Sequence, residues 1–516
     1  MEINGKRIFN YRPMCFVALS LVIGIIIGES LYGEHIAFYF IPALVFLSLA
    51  ICFSVFKKAR KYVLVPIAVL IGITSISVSN AVYDSHLIDD YKGEFSATVS
   101  SEIVLENSTA SFYIGDISID GVELKYDAYV KLYGVEYCDF NAGDRILLNG
   151  NLKANSHVKF DTYVASKRAK GIGYFASVND VKVLSEGKPK FPLNFQLAIK
   201  RVLYENLDEH TASICQALIL GDKTGMDDGL YDNVKTSGLA HVLAVSGLHI
   251  STLSTLLYFL LKKMKVNPKI ACIAVILLTF AYTLLCSFTA SSLRAFIMSG
   301  VFMIASTFGQ KRDNLSALSL SAVLILIFRP TALMEVGFLL SFYAVLGIFL
   351  FAQSFESVGM KAVCKISPKR HIGTKFVKVC AVSFATNLMT YPLVAYFFGE
   401  VPTLFLLSNF VILPYIMSVY VLLLPLTLLS LITGFGGFVW LARFLLVPFR
   451  AYTGAIGSLS FAAVPVSIGI GGIATFSLSM LILSKFVFLT RRQKACGVLI
   501  VLSFGLALSS LFLLLP

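Results

Sequence analysis

From residue 238 to the end, apolar runs follow one another with only short polar breaks, and no other feature of the chain constrains its fold as tightly. A run of about 20 apolar residues crosses the roughly 30 Å of a bilayer's hydrocarbon as a helix. In lipid the backbone must satisfy its own polar groups, which leaves helices or closed barrels. The runs lie near 238–260, 270–288, 293–309, 315–328, 335–353, 379–398, 402–428, 431–449, 471–489 and 496–515, and predict ten helical spans. Residues 450–470, with Gly454, Gly457 and Pro465, are ambiguous, a re-entrant segment being one reading. Three earlier runs, near 14–33, 36–56 and 63–80, bring the expectation to 13 spans. The first follows Lys6, Arg7 and Arg12 as a signal peptide would, but no small-residue cleavage site ends it and two more runs follow, so it reads as an anchor.

Composition agrees. Apolar residues make up 57% and charged residues 14% of 516, with a mean hydropathy of +0.79, against roughly 45–50% and about 25% in soluble domains. A disordered chain, a nucleic-acid-binding globule and a small disulfide scaffold are excluded. The nine cysteines form no Cys-x-x-Cys, and most sit in or beside apolar runs, where a thiol acts as a small hydrophobe. No metal is expected from them. Cys138 and Cys215 lie in more polar sequence, and their pairing stays open.

Between 85 and 187 the character changes: 15 acidic and 10 basic residues give a net charge of −5, leaving +18 on the rest. Phe95–Ser100, Ser111–Ile114, Val122–Lys125 and Tyr129–Tyr133 alternate as strands do, with Asp120-Gly121 as a hairpin turn. Asp144–Leu148 and Gly173–Val178 add two more, separated by a helical stretch near 160–170. About five strands with a helix before the last predict a small OB-like barrel, with another small antiparallel sheet as the alternative. Residues 190–237 are amphipathic, with Leu203, Ile214, Leu218 and Leu220 among scattered charges, and read as helices lying on the membrane surface. The chain therefore divides into an N-terminal anchor of three helices (1–84), the OB-like β domain (85–187), amphipathic helices (188–237) and a transmembrane domain of about ten helices (238–516).

Basic clusters set the orientation. They are Lys57, Lys58, Arg60 and Lys61; Lys262, Lys263, Lys265 and Lys269; Lys311 and Arg312; Lys361, Lys365, Lys369, Arg370, Lys375 and Lys378; and Arg491, Arg492 and Lys494. With the spans above, all fall on one side, the cytoplasm, together with the N-terminus. The β domain and the C-terminus are then extracytoplasmic. The class is mainly α: a polytopic helical membrane bundle with an extracytoplasmic OB-like β domain. The net charge of +13 is largely this orientation signal and is not counted again for nucleic acid.

The most distinctive polar stretch is His241–His249. Ser246 and His249, three apart, share a helix face. His241 and His249 are about 12 Å apart along a helix, too far to ligate one zinc ion. Ala244–Gly247 shares Ser-Gly with the Gly-x-Ser-Gly of rhomboid proteases but lacks the first glycine, and His249 becomes a base for Ser246 only where the helix breaks. His371, in a basic loop, is the only later histidine. The competing readings are a polar face satisfying neighbouring helices and the lining of a hydrated path.

Arg294 stands beside Ser287, Thr289, Ser291 and Ser292, which make a polar mouth. It reads either as snorkelling or as a fork for phosphate oxygens. Glu335 and Glu400 sit at outer ends of spans; Ser341, Thr386, Asn387, Thr390 and Asn409 lie further in. Gly221–Gly225 is not a Walker loop, since its spacing is wrong and no parallel strand precedes it.

These residues resemble the ComEC family of competence proteins, membrane channels for DNA entry. The match runs through Ala217–Gly225, Gly238–Ile250, Ser292–Phe296, Gly309–Arg312, Gly337–Phe342 and Tyr391-Pro392, and in the β domain through Gly143–Arg145, Phe160, Asp161, Gly171 and Ile172, covering roughly 14–490. Leu339 stands where the family has glutamine. Many members end in a metallo-β-lactamase-like domain; the sequence reaches Pro516 with no histidine after His371, so that domain's metal motif is not expected. The resemblance implies a channel for single-stranded DNA across the cytoplasmic membrane during natural transformation, not an enzyme, with no cofactor or metal. Membrane lipids, an outer DNA receptor, a separate nuclease and a cytoplasmic translocase are the implied partners. His241, Ser246, Gly247, His249, Ser291, Ser292, Arg294, Ser341 and Asn387 are expected to line or support the channel. The basic patch Lys153, Lys159, Lys167, Arg168 and Lys170 is the candidate DNA contact. The alternative is a transporter of another anionic polymer or lipid of the envelope. Driving force, strand polarity and oligomeric state stay open.

Overall fold

The computed structural model describes residues 2–3, 6–7, 12–33, 37–55, 62–106, 108–156, 158–309, 313–366, 372–484 and 490–514. Of the basic clusters, Lys57, Lys58, Arg60, Lys61, Lys311, Arg312, Lys369 and Arg370 lie outside these residues, as do His371 and Pro516.

The chain opens with α1 (Pro13–Leu31), α2 (Ala37–Val55) and α3 (Leu64–Ser85). Helices α1 and α3 cross with their backbones in contact. A Cβ added to Gly24 would lie 2.1 Å from the Val69 carbonyl oxygen, and one on Gly72 2.5 Å from that of Leu21. Close approach through small residues is how helices gain packing in lipid, where burial against lipid tails contributes little.

The β domain follows: β1 (Tyr91–Val99), β2 (Thr109–Ile119), β3 (Asp127–Tyr133), β4 (Arg145–Ala154), then α4 (Thr162–Ala169), then β5 (Ile172–Ser185). Pairs β1–β2, β2–β3, β4–β5 and β1–β4 are antiparallel and β3–β5 is parallel. The circuit 1-2-3-5-4-1 closes the sheet as an OB-like barrel does. Strict alternation turns Phe95, Phe112, Ile114, Val130, Leu148 and Tyr174 into its core. The hairpin turn falls at Asp120 (φ 50°) and Gly121 (φ 83°), the conformation that suits a right-twisted two-residue loop. Asp161 caps α4, its Oδ1 accepting from the amides of Tyr163 at 2.7 Å and Val164 at 3.1 Å.

Next come α5 (Leu193–Asn206), α6 (Glu209–Leu220) and α7 (Asp228–Thr236). Of these, α6 does not lie on the surface as the sequence reading had it, whereas α5 and α7 keep exposed faces. Every residue of α6 from Thr211 to Leu220 is buried. Helix α6 packs with Leu203 of α5 against Ile412, Ile416, Val419 and Leu423, and against Val439, Leu446 and Phe449. Its polar residues explain the difference: Thr211, Ser213, Cys215 and Gln216 are uncharged, and its only charged side chain lies in the first turn, so the helix desolvates cheaply.

The remaining helices are α8 (Gly247–Lys263), α9 (Pro268–Leu285), α10 (Ala290–Thr307), α11 (Asn314–Phe328), α12 (Val336–Gly347), α13 (Gln353–Ile366), α14 (Ile372–Phe398) and α15 (Phe405–Thr433). A π-helical turn at Ile348–Ala352 joins α12 to α13. Then come the short α16 (Gly437–Trp440), α17 (Ala442–Leu445) and α18 (Val447–Gly457), followed by α19 (Ile470–Leu483) and α20 (Arg491–Leu514). Among the described residues seven helices are long and apolar enough to cross a membrane, and Leu44–Ser54, Asn314–Phe328 and Ile470–Leu483 are apolar but shorter. The molecule is a mainly helical, multi-span membrane protein bearing a β barrel.

Two predicted spans are redrawn. The run 238–260 is helical only from Gly247, after a 3-10 turn at Ala240–Val242. The run 431–449 is not one helix: α15 passes through Pro414 and Pro425 and stops at Gly434 (φ 70°), a left-handed cap, before three short helices. The ambiguous stretch contains the end of α18 and Ala463–Pro465, which pairs antiparallel with Glu400–Pro402. Cys138 and Cys215 are both free thiols.

Candidate functional site

Helix α10 packs against both α8 and α12, and the expected polar residues meet at this junction. Ser246 is not within α8 as the sequence reading had it. It is the N-cap, in extended conformation, its Oγ accepting from the Leu248 amide at 3.3 Å. His249, three positions on, reaches back. Its Nδ1 accepts from the Ser246 amide at 3.3 Å and lies 3.0 Å from Ser246 Oγ. This is a capping box with histidine in place of the usual glutamate. The network assigns the ring proton to Nε2. His249 is buried, stands edge-on to Tyr420 of α15 at 4.6 Å, and its Nε2 has no partner among the described residues.

Arg294, in the second turn of α10, is 6% exposed and does not snorkel. Its Nε donates to Ser341 Oγ of α12 at 2.7 Å, Ser341 Oγ lies 3.1 Å from Ser291 Oγ, and Nη1 approaches Met298 Sδ at 3.9 Å. A Cβ on Gly247 would sit 3.1 Å from Arg294 Nη2. No carboxylate among the described residues pairs with this guanidinium. Gly247, Ser291, Arg294 and Ser341 thus converge, with Ser246 and His249 at the same helix head.

Three expected residues do not join them. Ser292 is buried but bonds within the α10 cap, to Thr289. Asn387 donates to the Ser383 carbonyl of its own helix at 2.9 Å. His241 turns to the Gly238 carbonyl at 3.1 Å. The carboxylates at the span ends are paired: Glu335 with Arg329 at 3.0 Å and Glu400 with Lys235 at 2.8 Å. Arg329 also donates to the carbonyls of Phe288 and Ala169, tying α4 to the loop before α10.

The basic patch divides. Arg168 donates to Asn80 Oδ1 at 2.6 Å and Ser79 Oγ at 2.7 Å of α3, and Asn80 donates to buried Glu29 at 2.9 Å, so Arg168 docks the barrel on the membrane helices. Lys159 donates to the Ser30 carbonyl at 3.1 Å. Lys153 is exposed. Lys167 lies over the Tyr129 ring at 4.2 Å and Lys170 is 6.0 Å from that of Tyr113. Burial lowers the Lys167 ammonium's pKa, only partly offset by Tyr129.

Around them runs a row that the sequence reading missed. Tyr113 pairs with Tyr129, Tyr129 with Phe175 and Phe175 with Lys153, across β2, β3, β5 and β4. Tyr163 of α4 stacks on Phe175 at 6.0 Å and 12°. The signal was present: each aromatic in the row neighbours an inward-facing core residue in an alternating strand, so it must face out.

The Gly221–Gly225 loop is a clamp. Asp222 Oδ1 accepts from the Thr224 amide at 3.0 Å. Its Oδ2 accepts from Lys200 Nζ of α5 at 2.6 Å, and Lys200 also bonds Glu102 of the β domain. Burial raises the Asp222 carboxyl, but Lys200 and Thr224 outweigh it and hold the group below its usual range. Burial likewise lowers Lys200, and the two carboxylates more than reverse that.

Fold and site together define a class: a multi-span helical membrane protein whose β barrel is docked by side chains on the membrane helices, with one buried arginine at a helix head. A profile of the family described as Competence protein matches residues 218–493, over half of the chain. The chain belongs to that family. It is 28% identical over 209 residues to ComE operon protein 3 of Bacillus subtilis (strain 168). The aligned stretch is 40% of this chain and 25% of that protein's length. No solved structure matches the chain.

Proposed function

We propose that the protein passes one strand of DNA across the cytoplasmic membrane during natural transformation. The observation that carries this reading, beside family membership, is the outward row Tyr113, Tyr129, Phe175 and Lys153 with Lys167 above it. Bases stack on aromatic rings without regard to sequence, each worth about 1–3 kcal/mol. These half-buried rings have Lys167 over Tyr129 and Tyr163 over Phe175 as the groups a base would displace. Lysines beside them meet phosphates. The row's own α4 is bound through Arg329 to the loop that opens α10, so a strand held there lies near the helix heads. Gly247, Ser291, Arg294 and Ser341, with Ser246 and His249, then line or support the path. In this reading the protein is a conduit, and Ser246 caps α8.

The basic loops orient the barrel and the C-terminus to the outside. Cysteine placed at exposed Glu123 should be labelled from outside in intact cells. Membrane lipid, an outer DNA receptor, a separate nuclease and a cytoplasmic translocase complete the apparatus. The test is uptake of labelled DNA by a deletion strain and by the strain restored. DNA should bind outside but not enter without the gene, and Tyr129→Ala with Phe175→Ala should reduce entry. Intact transformation together with an altered envelope component would favour a transporter of another anionic polymer or lipid.

A further inference from the structure

Three helices begin near Arg294. It lies in the second turn of α10 and is bonded to Ser341 in the second turn of α12. Its Nη2 faces Gly247, the first residue of α8. Each helix start carries about half a positive charge. A guanidinium that is 6% exposed therefore stands against the positive end of a 17-residue helix. Among the described residues no carboxylate neutralises it. Glu335, the nearest acid in sequence to Ser341, is held by Arg329. Like charges brought together in low dielectric are costly unless an anion shares the space.

The arrangement is also held in place. Ser341 fixes Nε, and that leaves the other edge of the fork turned toward α8. Gly247 permits this close approach, since a Cβ there would lie 3.1 Å from Nη2. Ser246 and His249 cap α8 with neutral groups, where aspartate or glutamate would have neutralised the helix end.

We infer that Arg294 and the first turn of α8 form a binding site for a single phosphodiester group. This rests on the proposed passage of DNA for its source, but the site itself is defined by charge and geometry. Ser246 Oγ already takes the Leu248 amide, so what the site offers a singly charged oxyanion is the guanidinium edge and the charge of the helix end. A phospholipid headgroup presents the same diester, so the occupant is either a DNA strand or a lipid.

The experiment uses the full chain in a nonionic, phosphate-free detergent. Dimethyl phosphate is titrated and thermal unfolding is followed, with chloride at equal ionic strength as reference. Two further arms replace it with thymidylyl-thymidine, which carries one diester, and with phosphatidylglycerol. Saturable stabilisation by dimethyl phosphate is expected. Arg294→Gln should weaken it at least tenfold, and Gly247→Ala should weaken it by displacing Nη2. Should Arg294→Gln fail to fold, Arg294→Lys keeps the charge and should bind saturably but several-fold more weakly, since it loses the fork. Stabilisation by the dinucleotide identifies the strand as occupant; stabilisation by the lipid alone identifies the headgroup. No saturable effect of any diester, or equal binding by Arg294→Gln, overturns the site. Diester binding with normal transformation in the deletion strain would leave the site standing and remove the DNA reading. Lost transformation without diester binding would do the reverse.

Discussion

Replacing Lys200 by Met should open the clamp between the β domain and the bundle. The ammonium is 9% exposed and joins Glu102 and Asp222, whose side chains are 40% and 33% exposed. Removing one partner of a fully buried pair costs about 3–5 kcal/mol. Water reaches both carboxylates here, which recovers part of that, so about 2–3 kcal/mol is expected. That is a factor of roughly 30–150 in the docking equilibrium. Hydrogen exchange at the Thr224 and Gly225 amides reads it directly, since Asp222 holds that turn. Exchange should accelerate by about that factor in Lys200→Met and little in Lys200→Arg. The clamp also has a defined pH window. Asp222 titrates below its ordinary 3.8 when folded, so its contribution is present above about pH 4 and is lost as pH falls through the lowered value. Lys200 titrates above 10.5, so its contribution is present below that and is lost as pH rises through the raised value. Unchanged exchange in a normally abundant Lys200→Met protein would refute the reasoning.

Further expectations concern separate regions. Gly72→Leu should disrupt the α1–α3 crossing, because even a Cβ there lies 2.5 Å from a backbone oxygen; protease resistance of the N-terminal helices measures it. Burial, aided by Asp116, pushes the Asp127 carboxyl up to about 6. The folded barrel then favours the protonated form and loses stability as pH rises from about 4 through 6. Asp127→Asn should flatten that dependence and stabilise the barrel at neutral pH, as thermal unfolding across pH would show. His249→Gln can still accept from the Ser246 amide and should reach near-normal membrane abundance. His249→Leu leaves that half-buried amide unpaired, at a cost of about 1 kcal/mol, and should accumulate less.

Much of this architecture is legible in the chain, and the failures have physical causes. The strands were readable because one face of each is buried, which forces alternation, and Asp120-Gly121 can hardly be anything but a tight turn. The start of α8 is hidden because Val242, Leu243 and Val245 keep the run apolar while the backbone is not α-helical. The cap signal was there in Ser246, but histidine three positions on is an uncommon partner. Charges flank α6 and make the segment look amphipathic, while from Thr211 onward its own polar side chains are small or amide. Pro414 and Pro425, both on the exposed face of α15, did not end it, whereas Gly434 did. Arg294 was marked as important by its type; that it turns inward to Ser341 depends on α12, which sequence spacing does not bring near.

The buried helix α6 has a mechanical consequence. One end is moored by Asp208 to Arg450, and the other passes through Gly221, which packs against Val245, to Asp222, which holds the barrel through Lys200. Val245 immediately precedes the Ser246 cap. A tug on the barrel therefore has a short, stiff route to the head of α8. Load applied to the barrel would fall first on the ion clamp and then on the turn next to the Ser246 cap.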